Sequence, residues 1–140
     1  MARNDSPQDI VEAALAAATT DGTVVIVTDR SEANLRWANS ALTTNGEMRS
    51  LTLTVTATAE VPGGTATGTL SQEIAGPDEV TGVVAAAEHL ARTGTPAEDA
   101  IALVEDYPHG DDWELAMSPD SLTGLLSWLE AAPPGVRRGD

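Results

Sequence analysis

Three residue types are missing from this 140-residue chain, and each absence limits what the protein can do. The chain has no cysteine, which excludes disulfides, thiol nucleophiles and thiolate metal ligands. It has no phenylalanine and only 3% aromatic residues, so its core must be built mainly from alanine, valine, leucine and isoleucine. Lysine is missing as well, because all seven basic residues are arginines.

Positive charge is therefore scarce. Seven arginines face 22 aspartates and glutamates, which gives a formal charge of -15. A surface this acidic repels nucleic-acid phosphates and anionic lipid headgroups, so we expect no direct binding to nucleic acid or to a membrane surface. A solvated acidic surface is the simplest interpretation, and a docking surface for a basic partner is the alternative.

Long apolar runs are also missing. No stretch approaches the roughly 20 apolar residues that a membrane-spanning helix needs. The N-terminal residues Met1–Pro7 lack the apolar centre of a signal peptide. We therefore expect a soluble, cytoplasmic protein, and the length suits a single main domain.

The clearest positive signal is a strict alternation of apolar and polar residues from Ser50 to Ala59. Successive side chains of a strand point to opposite faces, so one face of this strand should pack on a core and the other should carry threonines. Such one-sided burial is typical of antiparallel sheets. The residues expected to face the core are Leu51, Leu53, Val55, Ala57 and Ala59.

Shorter patterns predict the other strands. The apolar run Val24–Val27 is typical of a strand buried on both faces, in the middle of the sheet. A turn at residues 29–32 should lead into a second strand at residues 33–38, paired with the first as a hairpin and with Trp37 directed inward. Asn45-Gly46 is a strong hairpin signal before the long strand, and Pro62-Gly63-Gly64 predicts the next reversal, into a weaker strand at residues 65–70.

Two helices flank these strands, and a third follows. Ser6 can cap a first helix that begins at Pro7 and stops at Gly22. A second helix, opened by Gly76-Pro77 and closed by Gly94, should bury one face. The residues of that face are Val80, Val83, Val84, Ala87, Leu90 and Ala91.

The order of elements predicts an α+β fold: a mainly antiparallel sheet of about four strands with two or three helices packed on one face. We expect this domain to span residues 1–114. A C-terminal helix should follow at residues 115–132, and residues 133–140 have the composition of a disordered tail.

Catalytic chemistry finds little support. Only His89 and His109 are present, and His89 lacks the second histidine four residues away that a zinc-peptidase helix requires. The acidic groups around Asp111 and Asp112 have polar neighbours, so a solvated charge run is favoured over an acid and base pair. We therefore assign no catalytic residue, no metal ligand and no cofactor to this chain.

Binding through the sheet is the better hypothesis. An open strand edge presents backbone amides and carbonyls that can capture an extended peptide or a strand of another subunit. The candidate binding residues lie in the segments at residues 34–40 and 43–47, and each of the polar ones has the alternative of being simply exposed or turn-forming. These candidates are Arg36, Asn39, Asn45 and Gly46.

Several of these segments carry a family resemblance. The N-terminal helix, the segments Val24–Arg30, Leu35–Ser40 and Thr43–Glu47, the helix at residues 75–94 and Asp111-Asp112-Trp113 together resemble the N-terminal domain of the TldD/PmbA metallopeptidase family. The similarity is greatest to actinobacterial PmbA (TldE)-like members, and it covers about residues 8–114. It is carried by the whole domain pattern and by no short signature.

The resemblance implies a part in processing linear peptides. In that family, TldD-type and PmbA-type subunits pair, and zinc is held by a His-Glu-x-x-x-His-type helix in a C-terminal domain of the TldD-type chain. This sequence has no such helix, so the resemblance implies zinc only in a separate catalytic domain or partner. It implies a non-catalytic domain, from a truncated or single-domain relative, that binds a TldD-type or other subunit or an extended peptide.

A second hypothesis rests on charge alone. The chain would then be a stand-alone acidic interaction protein that occupies a basic groove, such as the DNA channel of a topoisomerase. A third hypothesis, a small hydrolase that uses Asp111 and Asp112, has the weakest support.

Overall fold

The computed structural model describes residues 6–20, 22–38, 41–101 and 127. Helix α1 precedes three strands, and a short 3-10 turn at Pro77–Glu79 leads into helix α2. The strands form an antiparallel sheet in the order β1-β2-β3, which confirms the α+β fold class. The bounds are α1 Pro7–Ala17, β1 Gly22–Ala38, β2 Ala41–Val61, β3 Gly64–Glu73 and α2 Val80–Thr93.

The chain divides into two compact units, and both long strands contribute to each. The first unit comprises Met1–Asp29 and Ser50–Gly110, and it contains both helices, β3 and one half each of β1 and β2. The second unit comprises Arg30–Arg49 and Asp111–Asp140, and its described strands are the remaining halves of β1 and β2.

Helix α1 begins as its sequence predicts. The Ser6 hydroxyl accepts a hydrogen bond from the Asp9 backbone amide at 3.2 Å, and the Asp9 carboxylate accepts from the Ser6 amide at 2.8 Å. This reciprocal capping box satisfies two backbone amides that a helix start leaves unpaired. The helix ends at Ala17, not at Gly22, which is instead the first residue of β1.

The core of the first unit lies between one face of the sheet and the two helices. Leu53, Val55 and Ala57 of β2 are fully buried, as the alternation predicts, and Ile10 and Ala14 cover them from α1. From α2, all but one of the predicted core residues are buried, and the exception is Leu90, which is 45% exposed. The buried residues of α2 are Val80, Val83, Val84, Ala87, Glu88 and Ala91.

A glycine allows α2 to lie directly on β3. A Cβ added at Gly68 would lie 2.3 Å from the Ala87 carbonyl oxygen and 2.3 Å from the Ala91 nitrogen. Any side chain there would therefore collide with helix backbone. Gly68 is a position at which the close approach of two backbones requires glycine.

The structure corrects two predicted turns. Residues 29–32 and Asn45-Gly46 lie inside β1 and β2, so the first two predicted strands are a single strand, and the described residues form three strands in all. Gly46 has no positive φ, unlike Gly63 at 101° and Gly64 at 144° in the confirmed reversal after Pro62. The strand conformation of the whole segment Ala41–Val61 therefore outweighs the local turn preference of Asn-Gly.

The position of the Val24–Val27 run is also different from the prediction. Val25 and Val27 pack on the core, but Val24 and Ile26 are 49% and 56% exposed. Among the described strands β1 lies at an edge and β2 occupies the middle. Of the predicted C-terminal helix at residues 115–132, only Ser127 is described, and it is helical and exposed. The rest of that segment, the tail at residues 133–140 and the inward direction of the Trp37 side chain lie outside the described residues.

Candidate polypeptide-binding surface

The side of the sheet that faces away from the helices carries a ladder of hydroxyl groups, which we call the hydroxyl face. Its members lie in the first unit, on β2 and β3, and are Thr54, Thr56, Thr58, Thr67, Thr69 and Ser71. The register pairs Thr54 with Ser71, Thr56 with Thr69, and Thr58 with Thr67. These side chains are half-buried or exposed, so the hydroxyl face is open to solvent.

Hydroxyl groups on this face bond to one another across the strands. The Thr54 and Ser71 hydroxyl oxygens are 2.8 Å apart, and those of Thr56 and Thr69 are 3.0 Å apart. The Thr58 hydroxyl donates to the Gly22 carbonyl oxygen of β1 at 3.3 Å. The three strands are therefore tied together on the open side as well as on the core side.

Apolar side chains continue this open side along β1. Val25 and Val27 face the core, so the alternation places Val24 and Ile26 on the side of the hydroxyl face. Both are about half exposed, at 49% and 56%. The open surface of the first unit is thus a hydroxyl ladder on two strands beside an apolar pair on the edge strand.

Carboxylates lie at both ends of the hydroxyl face. Glu60 accepts a hydrogen bond from the Thr65 hydroxyl at 2.7 Å, and Glu73 pairs in register with Thr52 at the other end. The hydroxyl face itself contains no charged side chain. A ligand that lies along these strands would therefore meet a neutral centre and negative ends.

A buried carboxylate on the opposite side of the sheet joins the two helices. Glu88 of α2 is only 4% exposed. Its oxygens accept from the Thr19 backbone amide at 2.5 Å, the Thr19 hydroxyl at 2.6 Å and the Thr20 backbone amide at 3.0 Å. Arg92, one helical turn further on, donates to Glu88 at 3.1 Å and to the Thr19 hydroxyl at 2.7 Å.

These partners set the protonation state of Glu88. Burial raises its pKa, but the hydrogen bonds from Thr19, Thr20 and Arg92 together outweigh that effect and lower the pKa to about 2. The carboxylate stays ionised near neutral pH and its oxygens are occupied by donors. Glu88 therefore acts as a structural anchor between α2 and the end of α1, and not as a general acid or base.

The predicted binding residues lie mostly away from this surface. Arg36 lies on β1 and Gly46 on β2, both exposed and both in the second unit. Asn45 belongs to β2, but its side chain lies outside the described part of the structure, as does Asn39 altogether. The structure thus places Arg36 and Gly46 on neighbouring strands of one unit and leaves the predicted role of all four residues a prediction.

Sequence reasoning missed Val24 and Ile26 as surface residues. A run of four apolar β-branched residues has the same appearance in a central strand and in an edge strand whose outer side chains are exposed. The signal that could have distinguished them is the element count. The two described helices both pack on the core side of the sheet, so among the described residues no helix covers the outer face of β1.

The described residues offer neither a metal-binding cluster nor a membrane-spanning helix. Among them, no group of three or more histidine, cysteine, aspartate or glutamate side chains is arranged to hold a metal ion. His89 is exposed on α2, where its carbonyl oxygen accepts from the Thr93 hydroxyl at 2.8 Å. No helix in this part of the chain combines the length and the apolarity needed to cross a membrane.

Comparison with known protein families gives a match over the C-terminal part of the chain. Residues 80–135 match the sequence profile of a family described as "Protein of unknown function (DUF2550)". The match begins at Val80, the first residue of α2, and covers less than half of the chain. No curated protein and no solved structure matches the chain. The resemblance of residues 8–114 to the TldD/PmbA family therefore stays a prediction.

Proposed function

We propose that this protein is a non-catalytic, polypeptide-binding domain of the TldD/PmbA N-terminal type. It belongs to or assists a cytoplasmic, zinc-dependent peptidase system that processes linear peptides. Its own contribution is to bind an extended peptide or a TldD-type subunit through its sheet. Zinc and bond cleavage belong to a separate catalytic domain or partner.

The open side of the sheet in the first unit is the observation that carries this proposal. Helices cover one face of the sheet, and the hydroxyl face and the apolar pair Val24 and Ile26 are exposed on the other. Exposed apolar side chains beside a strand edge are a common feature of surfaces that bind extended polypeptide. The resemblance to TldD/PmbA N-terminal domains points to the same kind of ligand.

The chemistry of the described carboxylates agrees with a binding role. Among the described residues, the one buried carboxylate, Glu88, is held ionised by its hydrogen bonds and connects two helices. A carboxylate that acts as a general acid or base needs an accessible oxygen and a pKa near the working pH. Glu88 meets neither requirement.

A second candidate function follows from the net charge. At -15, the chain could act as an acidic regulator that occupies a basic groove of another protein. Such binding depends on long-range attraction and weakens strongly as salt rises. Binding through backbone pairing and apolar contact is less sensitive to salt, so a salt series separates the two candidates.

The proposal is tested by mixing the purified chain with a purified TldD-type chain. We expect a defined complex in analytical size exclusion that persists at high salt, and cleavage of linear peptides only when the TldD-type chain and zinc are both present. Cleavage by this chain alone, or a saturable rise of its Tm with zinc, would contradict the proposal. A complex that disappears at high salt would favour the acidic regulator.

A further inference from the structure

We infer that the outer edge of β1 over residues 22–28, the β1 edge segment, is a strand-addition site for a cationic extended peptide. The peptide would be apolar at alternate positions and carry arginine or lysine near its ends. This inference rests on the proposed polypeptide-binding function and adds the place and the chemistry of recognition.

The composition of the β1 edge segment is unusual for a strand at the edge of a sheet. Natural edge strands are protected against pairing by lysine, proline, bulges or inward charges. The segment reads Gly-Thr-Val-Val-Ile-Val-Thr, with no charged residue and no proline. Short uncharged segments of high β propensity are the ones that pair most readily with another strand.

Exposure supports the same conclusion. Val24 and Ile26 are 49% and 56% exposed, although both are large apolar residues in a regular strand. A strand that pairs with β1 would place its side chains about 4.5 to 5.5 Å from these two on the same face. The added strand would also extend the antiparallel sheet without displacing any described element.

The opposite edge of the sheet is already occupied at one end. At the start of β3, the Ala97 amide donates to the Thr65 carbonyl oxygen at 2.9 Å, so the segment after α2 already uses the backbone of that strand. Within the described residues, no turn or loop makes a backbone hydrogen bond of this kind to the β1 edge segment. The β1 edge is therefore the better place for an incoming strand.

Charge selects a cationic peptide over a second copy of this chain. Two copies would each bring a charge of -15, and their repulsion opposes self-pairing. In sequence, Asp21 and Asp29 flank the β1 edge segment, and the segment itself carries no charge. A peptide with basic ends complements this arrangement.

The test uses the full chain and a fluorescent peptide, Arg-Thr-Val-Thr-Ile-Thr-Val-Thr-Arg, with binding followed by anisotropy. Two further peptides carry N-methyl groups on one or the other set of alternate amides, which blocks one strand edge each. We expect saturable binding of the parent peptide, loss with one methylated peptide and retention with the other. Retention with both would overturn strand addition.

Protein variants locate the site. Replacing both Val24 and Ile26 by threonine keeps β propensity and removes the apolar contact, so we expect affinity to fall by at least about tenfold. The matched control is Leu15→Gln, which removes an equally exposed apolar side chain from α1 and should leave binding unchanged. Equal loss in both, or no loss in the threonine variant, would overturn the assignment.

Additional variants and peptides cover misfolding, charge and self-association. If the double variant unfolds, the single variants Val24→Thr and Ile26→Thr test the site instead, and each should bind the peptide several-fold more weakly.

A peptide with glutamate in place of both arginines should bind more weakly, and equal binding would overturn the charge requirement. A dimer in sedimentation velocity that the threonine variant dissolves would identify a second copy as the occupant and overturn the peptide.

Failure of the β1 site and failure of the proposed function give different results. If the chain forms its complex with a TldD-type subunit and the threonine variant forms the same complex, the proposed function stands and the β1 site is wrong. If the chain binds the parent peptide but no TldD-type subunit, the β1 site stands and the assignment to a peptidase system fails.

Discussion

The carboxylate of Glu88 holds both the backbone amide and the hydroxyl of Thr19, which lies 69 residues earlier in the chain. This contact fixes the end of α1 against α2 on the covered side of the sheet. Arg92 completes it by donating to both residues. The candidate binding surface is on the other side, so the stability of the fold and the binding of a ligand can be tested independently.

Replacing Glu88 by glutamine should destabilise the first unit. In wild type, both carboxylate oxygens accept hydrogen bonds from N–H and O–H groups. The glutamine amide replaces one of these acceptor oxygens by an NH2 donor, and the substitution removes the negative charge that Arg92 contacts. We expect a loss of about 1 to 3 kcal/mol in the free energy of unfolding. Urea denaturation measures it, with the exposed Glu98→Gln as control. Equal midpoints for the two variants would show that the Glu88 contacts contribute nothing net.

Stability should fall in acid through the same residue. The pKa of Glu88 is lowered from 4.5 to about 2 in the folded protein, so the folded state binds fewer protons than the unfolded state in that range. The stabilisation is complete above 4.5 and is lost as the pH falls from 4.5 towards 2.

Urea denaturation at a series of pH values checks this prediction. The wild type should lose up to about 1.4 kcal/mol per pH unit from this residue within the window, and Glu88→Gln should lack that component. Asp9, whose pKa is lowered by its hydrogen bonds with the side chain and backbone of Ser6, contributes in the same direction in both proteins. Parallel curves for the two proteins would contradict the prediction.

Gly68→Ala should be strongly destabilising, because its Cβ would meet the backbone of α2 at 2.3 Å. Relief requires that α2 move away from β3, and we expect a cost of about 1 to 3 kcal/mol or more. Gly82→Ala is the control: a Cβ at Gly82 in α2 would have no atom within 4 Å, so alanine should stabilise the helix by roughly 0.5 to 1 kcal/mol. Thermal unfolding of both variants decides, and a neutral Gly68→Ala would be inconsistent with this packing.

Gly46→Val tests whether this residue lies in a strand or in a turn. Gly46 has no positive φ and open space around it, so valine should be tolerated or slightly stabilising in β2. Gly64→Val, at a φ of 144°, should cost about 1 kcal/mol or more. Denaturation midpoints compare the two variants. A larger loss at Gly46 than at Gly64 would restore the hairpin turn that Asn45-Gly46 suggests.

Local sequence signals predict the elements whose causes are themselves local. The capping residues Ser6 and Asp9 start α1, and the alternation from Ser50 to Ala59 places Leu53, Val55 and Ala57 in the core. Periodicity likewise places Val80, Val84 and Ala91 on the buried face of α2. These patterns depend on side-chain geometry along one element, which a sequence displays directly.

The candidate binding surface could not be predicted in the same way. The hypothesis of an open edge is general, and the sequence attaches it to Arg36, Asn39, Asn45 and Gly46, whereas the structure exposes an apolar pair at Val24 and Ile26. Which strand lies at an edge depends on pairing between distant segments. No property of a single strand reveals whether a neighbour covers it.

The sequence alone determined that this protein is an acidic, cysteine-free α+β chain with two amphipathic helices and a strand that is apolar on one face. Composition and periodicity are properties of each segment by itself, so they can be read directly from the sequence. Tertiary structure alone decided that the first two predicted strands are one, that Gly68 touches the backbone of α2, and that Glu88 is buried among donors. Those features arise where segments far apart in the chain come into contact. The free energy of such a tertiary contact depends on both segments, so neither segment's sequence predicts it alone.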